Sequence, residues 1–370
     1  MKIIVSGGGT GGHIYPALTL IRTIQKQIES VEILYVGTKV GLEADIIPKE
    51  GISFTTIDIR GFERRLSLKN VQTVGKAMYG VMKAQCIVRN FHPDAVVGTG
   101  GYVCGPILLA ASLMGIPTLI QEQNVIPGIT NKILSKFVTK IAVGYKEAAA
   151  HFPAAKVVFT GNPIRSEVLS ADRAAGFAEF GFDPNKKTVL VSGGSRGARS
   201  INRAMIDVLK HFADDIRIQI LHVTGKDEYS DVVQRVVQAG IAMDSIDNIS
   251  IRPYLYNMPQ AMAIADLAVF RAGATGLAEL TAKGIPSILI PYPYAAENHQ
   301  EYNARALDKV GAAYMILNRE LTAEKLISAI ETLIYHEEKL SEMAKASLAL
   351  GRPQAAEDIA AMIINAAKKN

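Results

Sequence analysis

Lys2-Ile3-Ile4-Val5-Ser6-Gly7-Gly8-Gly9-Thr10-Gly11-Gly12-His13 opens the chain, and Val189-Leu190-Val191-Ser192-Gly193-Gly194-Ser195 echoes its first half at mid-length. Each is a short β-branched run that enters a glycine-rich turn ahead of a helix-length segment, the signature of a βαβ unit. Outward from the first stretch, Glu32 to Val36, Ala95 to Val97, Thr118 to Ile120, Lys140 to Val143 and Val157 to Phe159 read as further strands. The second stretch belongs to a strand from Thr188 to Ser192, followed by Ile218 to Val223, Ile249 to Ile251, Leu267 to Phe270 and Ser287 to Ile290. The pattern predicts an α/β protein of two doubly wound domains, residues 1–163 and 164–353, joined near Asn162 to Asp172. Residues 354–369 place Ile359, Met362, Ile363 and Ala366 on one helical face, and the expectation is that this helix docks back on the first domain.

Composition narrows the function. With 370 residues, 49% hydrophobic and 20% charged, the chain can bury sizeable cores and is too apolar to be disordered. Two cysteines, Cys86 and Cys104, exclude a disulfide framework, and neither sits at zinc-ligand spacing, so a reducing cytoplasm and no bound metal are expected. A net charge of +5 is too mild to announce a nucleic-acid partner. The charge is uneven, however: residues 1–163 carry 17 basic and 10 acidic side chains. Met1 to Val5 runs straight into the glycine loop, without the apolar stretch of a signal peptide. Ala95 to Gln121 holds no charged residue, but its glycines and prolines, among them Gly105, Pro106 and Pro117, divide it too finely for a span of ~20 helical residues.

The loops carry the chemistry. Gly7 to Gly12 satisfies GxGxxG after a strand, but a dinucleotide site also wants an acid where the second strand ends, and that strand ends Tyr35-Val36-Gly37-Thr38. What remains is a set of backbone N–H groups at a helix N-terminus with His13 in the first turn, where the helix dipole disfavours imidazolium and suits a general base. Gly98-Thr99-Gly100-Gly101-Tyr102 is a second such loop, and Glu122-Gln123-Asn124 ends a neighbouring strand. In the second half, Gly193 to Ala198 makes an anion-cradling turn, and Arg271-Ala272-Gly273-Ala274-Thr275-Gly276 enters a helix that carries Glu279 between Leu277 and Leu280, where a partly buried carboxylate suits ribose hydroxyls. Asp-x-Asp, GxxxxGK[ST] and GxSxG are all absent.

Six motifs, in order and spacing, resemble the MurG family across essentially the whole chain: Gly7 to Pro16, Gly98 to Val103, Gln121 to Asn124, Gly161 to Arg165, Gly193 to Ala198 and Arg271 to Ala274. The resemblance implies a GT-B fold, two doubly wound Rossmann-like domains facing a cleft. It also implies an inverting glycosyltransferase that needs no cofactor and moves N-acetylglucosamine from UDP-GlcNAc to the C4 hydroxyl of the muramic sugar in undecaprenyl-linked lipid I. By similarity, Thr10, Gly11, Gly12 and Asn124 line the site near the acceptor, with His13 the base. Arg165 and Ser195 match donor contacts, the backbone at Leu255 matches the uracil contact, Ala274 and Thr275 the turn under the diphosphate, Glu279 the ribose acid and Gln300 a contact to the sugar hydroxyls. Gly276 and His299 depart from the family pattern, where a Thr and a second Gln are common.

Two other readings belong beside this one: a UDP-GlcNAc 2-epimerase, which shares the donor and the architecture, and a non-catalytic substrate-binding subunit. The resemblance, through its lipid-linked acceptor, also implies a place at the cytoplasmic face of the membrane. The stretch from Arg60 to Lys83, with Arg64, Arg65, Lys69 and Lys76 interleaved with hydrophobes such as Phe62, Met78 and Met82, is the expected contact to an anionic membrane surface.

Overall fold

The computed structural model describes residues 1–57, 69–241 and 246–368. The chain divides into two compact units, Met1–Ile164 with Gln354–Asn370, and Arg165–Pro353. In the first unit the order is β1 (Lys2–Ser6), α1 (Gly11–Gln27), β2 (Glu32–Gly37), α2 (Glu43–Lys49), β3 (Ser53–Thr56), α3 (Lys69–Phe91), β4 (Ala95–Gly98), α4 (Cys104–Leu113), β5 (Thr118–Glu122), α5 (Ile129–Leu134), β6 (Lys140–Val143) and β7 (Val157–Phe159). The second unit runs α6 (Ser166–Ser170), α7 (Arg173–Phe180), β8 (Lys187–Ser192), α8 (Arg199–Phe212), β9 (Ile218–Val223), α9 (Tyr229–Gln238), β10 (Ile249–Arg252), α10 (Met258–Ile264) and β11 (Leu267–Phe270). It continues with α11 (Ala274–Lys283), β12 (Ser287–Leu289), α12 (His299–Asp308), β13 (Ala313–Met315), α13 (Ala323–Ile334) and α14 (Glu337–Leu350), after which α15 (Ala355–Lys368) returns to the first unit.

Both sheets are parallel, ordered β3-β2-β1-β4-β5-β6-β7 and β10-β9-β8-β11-β12-β13. Strand order reverses between β1 and β4 in one and between β8 and β11 in the other, the switch points outside whose carboxyl ends open α/β sheets bind ligands. The glycine loops follow these four strands. The strands are apolar on both faces because helices cover both sides: Ile3, Ile4 and Val5 are fully buried, as are Val189, Leu190 and Val191.

Helix α15 packs on α1 and buries Ile359, Ala360, Ile363 and Ala367 in one cluster with Ile14, Ala17, Leu18 and Ile21. The buried row is rotated from the one the periodicity suggests: Ala367 is buried where Ala366 was expected, and Met362 is only partly covered. Small side chains on both helices, Ala17 on α1 with Ala360 and Ala367 on α15, belong to this cluster. Strands β3 and β13 were not read from the sequence; they are edge strands of four and three residues, too short and too mixed in composition to stand out.

Helix ends follow local chemistry where the chain turns away from the loops. Asp172 caps α7 by accepting from the Ala175 amide at 2.7 Å, Thr322 caps α13 through Lys325 at 3.2 Å, and Gly181 and Gly284 end α7 and α11 in the left-handed conformation. By contrast α1, α8 and α11 begin without a side-chain cap, each just after a glycine turn.

Candidate functional site

In the first unit the two glycine loops interlock. The Gly8 amide donates to the Gly100 carbonyl at 3.2 Å, and Tyr35 Oη donates to the Gly7 carbonyl at 2.8 Å. Gly101, at φ +87°, sits so close to the Gly8 carbonyl that a Cβ there would lie 2.4 Å from the oxygen. Thr99 Oγ1 donates to the His13 carbonyl at 2.8 Å, which ties the first turn of α1 to the second loop.

These contacts fix His13. Its Nδ1 lies 2.8 Å from the Gly8 carbonyl and 3.4 Å from Thr10 Oγ1. A carbonyl oxygen only accepts, so Nδ1 holds the proton and Nε2 is the basic nitrogen. The ring lies against Gly100, where a Cβ would come within 2.7 Å of Cδ2 and 3.0 Å of Nε2.

Asn124, just past β5, is held by Glu122, whose Oε1 accepts from the Asn124 amide (3.0 Å) and from Asn124 Nδ2 (3.3 Å). The other oxygen accepts from Asn131 Nδ2 at 2.7 Å and the Gly128 amide at 3.3 Å. Burial pushes the Glu122 carboxyl above its ordinary pKa, and these four donors pull the other way. Asn162, which the motif Gly161 to Arg165 brings forward, is structural: it links Gln121 Nε2 to the Gln123 carbonyl at 2.9 Å on each side.

In the second unit the β8–α8 loop exposes Ser195 and is braced by Gly197, whose φ of +75° and closeness to the Thr224 carbonyl admit no side chain. Ala274 and Thr275 form the first turn of α11, and Thr275 Oγ1 is buried without a hydrogen-bond partner. Leu255 lies half-buried between Tyr254 and Tyr256, whose rings meet edge to face at 4.9 Å with Lys226 Nζ over both. Gln300 Oε1 accepts from the Tyr292 amide at 2.9 Å, which leaves the amide nitrogen to donate elsewhere. His299 donates Nδ1–H to the Ala296 carbonyl at 2.7 Å, and burial lowers its pKa.

Arg165 and Glu279, both assigned to the donor from sequence, meet each other. Arg165 Nε and Nη2 donate to the two Glu279 oxygens at 2.7 and 3.1 Å, a fork-to-fork pair with the carboxylate 3% exposed.

Three residues beside these positions were given no role of their own from the sequence. Arg271 was quoted within its motif but given no role. It donates to the carbonyls of Ile290 and Pro291, to Asn318 Oδ1 and to Ser200 Oγ at 2.8–3.1 Å, with no carboxylate partner among the described residues. Burial pushes its pKa down to about 10, so it stays charged at neutral pH. Glu122 is the second, and the third is Glu43, whose carboxylate is fully buried beneath the first glycine loop. No group of three or more His, Cys, Asp or Glu among the described residues is arranged to hold a metal ion.

Family models describe the same two halves: the glycosyltransferase family 28 N-terminal domain matches residues 3–143 and the family's C-terminal domain residues 188–359. A protein of Desulforamulus reducens named as the UDP-N-acetylglucosamine--N-acetylmuramyl-(pentapeptide) pyrophosphoryl-undecaprenol N-acetylglucosamine transferase is 51% identical over 97% of both chains. The chain belongs to the MurG family. The Acinetobacter baumannii MurG structure superposes with a TM-score of 0.78 at 28% identity, covering 98% of this chain and 99% of that one. MurG-family membership also gives the two Rossmann-like units their class, GT-B. The UDP-GlcNAc 2-epimerase of Neisseria meningitidis aligns over the full length of both chains with a TM-score of 0.67 but only 15% identity, a likeness of fold alone. The epimerase reading is not favoured.

Proposed function

We propose a catalytic route for the N-acetylglucosamine transfer, from UDP-GlcNAc to the lipid-linked muramyl acceptor, that MurG-family membership assigns to this chain. His13 Nε2 takes the proton of the acceptor C4 hydroxyl as that oxygen attacks the anomeric carbon, and the bond from that carbon to the diphosphate breaks with inversion. The Nδ1 hydrogen bond to the Gly8 carbonyl carries this reading, because it holds the ring in the one neutral tautomer that has a basic Nε2. Thr10, Gly11, Gly12 and Asn124 shape the acceptor side.

The donor belongs to the second unit. Backbone amides at Ala274 and Thr275, the unpartnered Thr275 hydroxyl and the Ser195 loop suit the diphosphate and offset the charge on departing UDP without a metal. The Glu279 carboxylate, aimed by Arg165, retains lone pairs for ribose hydroxyls, the backbone at Leu255 meets the uracil, and Gln300 meets the sugar.

An acceptor anchored in lipid requires the protein to work at the cytoplasmic membrane surface, and the first unit suits peripheral docking. Tyr79 and Met82 on α3, Leu113 at the end of α4, and Ile129, Ile133 and Phe137 on and after α5 are exposed, next to Lys83, Lys132 and Lys136. Helix α4 packs between α3 and α5, and Ser112 Oγ donates to the Phe137 carbonyl at 2.7 Å. The basic residues Arg60, Arg64 and Arg65 lie outside the described residues, as do the side chains of Lys69 and Lys76. No helix among the described residues is long and apolar enough to cross a membrane. Labelled UDP-GlcNAc incubated with acceptor in anionic vesicles tests the reading: label should enter the lipid phase at low salt and fall off at high salt, where attraction to the surface is screened. Label that appears instead in an isomerised sugar nucleotide contradicts it.

A further inference from the structure

Glu43, the first residue of α2, is fully buried, and both carboxylate oxygens accept hydrogen bonds. Oε1 accepts from the Thr38 amide at 3.0 Å and from Thr38 Oγ1 at 2.7 Å, while Oε2 accepts from the Gly9 amide at 3.1 Å. Three glycines make room for the side chain: a Cβ at Gly8 or Gly41 would lie 2.5 or 2.2 Å from Oε1, and one at Gly37 would lie 2.6 Å from Cγ. The N–H that Glu43 receives and the carbonyl that receives His13 Nδ1–H belong to one peptide group, that between Gly8 and Gly9.

We propose that Glu43 is a positioning residue for His13, acting through the Gly8–Gly9 peptide. This rests on His13 being the base and names the group that tunes it. A carboxylate on the N–H end of a peptide polarises the carbonyl at the other end, and a more negative carbonyl oxygen holds the Nδ1 proton more firmly. The carboxylate thus fixes the tautomer and favours the imidazolium that forms as the acceptor hydroxyl gives up its proton, as a carboxylate bonded directly to a histidine does, but with one peptide interposed. Among the described residues, Tyr35 on β2 and Cys104 on α4 couple electrostatically to Glu43, Tyr15 on α1 and Tyr102 in the second loop lie further along the site, and Lys39 on the β2–α2 turn is exposed. Burial holds the Tyr35 hydroxyl well above its ordinary range and pushes the Cys104 thiol up to about 11, so neither competes with Glu43 near neutral pH.

Glu43→Gln tests this selectively. Its amide oxygen can keep both Thr38 bonds, but its NH₂ then confronts the Gly9 N–H, so the peptide loses its acceptor with little change in volume. Histidine NMR titration, with the His13 resonance assigned by its loss in His13→Gln, should show the imidazole pKa lowered by roughly half a unit to one unit in Glu43→Gln. The acid limb of kcat/KM should move the same way, with kcat down roughly three- to tenfold and UDP inhibition unchanged. Thr38→Val, which removes a hydroxyl donor to Glu43 but spares the Gly9 contact, should lower Tm and leave the acid limb in place. An unmoved His13 titration in folded Glu43→Gln, whatever its kcat, overturns the proposal and leaves Glu43 a structural residue. Should Glu43→Gln fail to fold, the wild-type Gly9 amide proton decides: its resonance should lie downfield and follow the His13 titration, and an amide that ignores that titration overturns the proposal. Failure of the base assignment itself is separately visible, since His13→Ala would then turn over normally whatever the titrations show.

Discussion

Arg165 and Glu279 hold each other in the second unit, so a change to either acts on two groups at once. Glu279→Gln keeps the shape but removes the charge and puts an NH₂ against one arm of the guanidinium, and a hydrogen bond to a charged group is worth ~1.5–3 kcal/mol. UDP inhibition should weaken by roughly tenfold or more and the KM for UDP-GlcNAc should rise, read from steady-state kinetics; equal UDP inhibition in both forms would make Glu279 a packing residue only. The burial of Glu279 was legible from Leu277 and Leu280 around it, and its carboxylate is indeed buried. Its partner was not legible as such, because Arg165 precedes it by 114 positions and no periodicity links residues that far apart. Glu43 escaped for a different reason. A ribose-binding acid was sought at the end of β2, whereas the acid lies six residues beyond Gly37, on the next helix, and points under the loop. The signal was present as glycines at 37 and 41 just ahead of the acid, a spacing that acquires meaning only once these two and Gly8 are seen to pack on one carboxylate.

At the scale of elements, the two glycine loops act as one interlocked piece between β1, β4 and their helices. Gly101→Ala puts a Cβ 2.4 Å from the Gly8 carbonyl oxygen, far inside van der Waals contact with backbone that cannot swing aside, and adds strain at φ +87°. The variant should lose about 2–4 kcal/mol from the first unit and most of its turnover, as thermal unfolding and kinetics would show; wild-type stability would mean the loops do not interlock. The strands around the switch points were legible because they are buried on both faces and so read as unbroken apolar runs. Two of the four edge strands were not: β3 offers only Phe54 as a large hydrophobe and β13 is Ala313-Tyr314-Met315, whereas the edges β7 and β10 carry β-branched residues that could be read. The C-terminal helix was legible as amphipathic, but its rotation was set by how Ala360 and Ala367 meet α1, a matter of tertiary fit.

At the scale of the molecule, the chain leaves the first unit after Ile164 and returns to it at Gln354, so the second unit is an insertion with its own core. That core contains His222, fully buried, with Nε2 3.1 Å from Asn202 Oδ1 and its pKa pushed down by burial to about 3. An unfolded histidine titrates near 6.5, so between there and about 3 the unfolded chain binds a proton that the folded unit does not. Stability of the second unit should therefore fall as pH drops below 6.5, by about 2 kcal/mol at pH 5 from this group alone. Urea unfolding followed by a probe in that unit should show this slope, and His222→Gln should flatten it; an identical slope in the variant would assign the acid sensitivity elsewhere. In the first unit the proposed base for sugar transfer is His13 Nε2. The most direct measurement is kcat for His13→Ala against wild type with a lipid-linked muramyl acceptor, alongside the affinity of each for UDP. With His13 as the base, kcat should fall by roughly 10²- to 10⁴-fold with UDP affinity unchanged, and near-normal turnover in the folded variant would contradict that role.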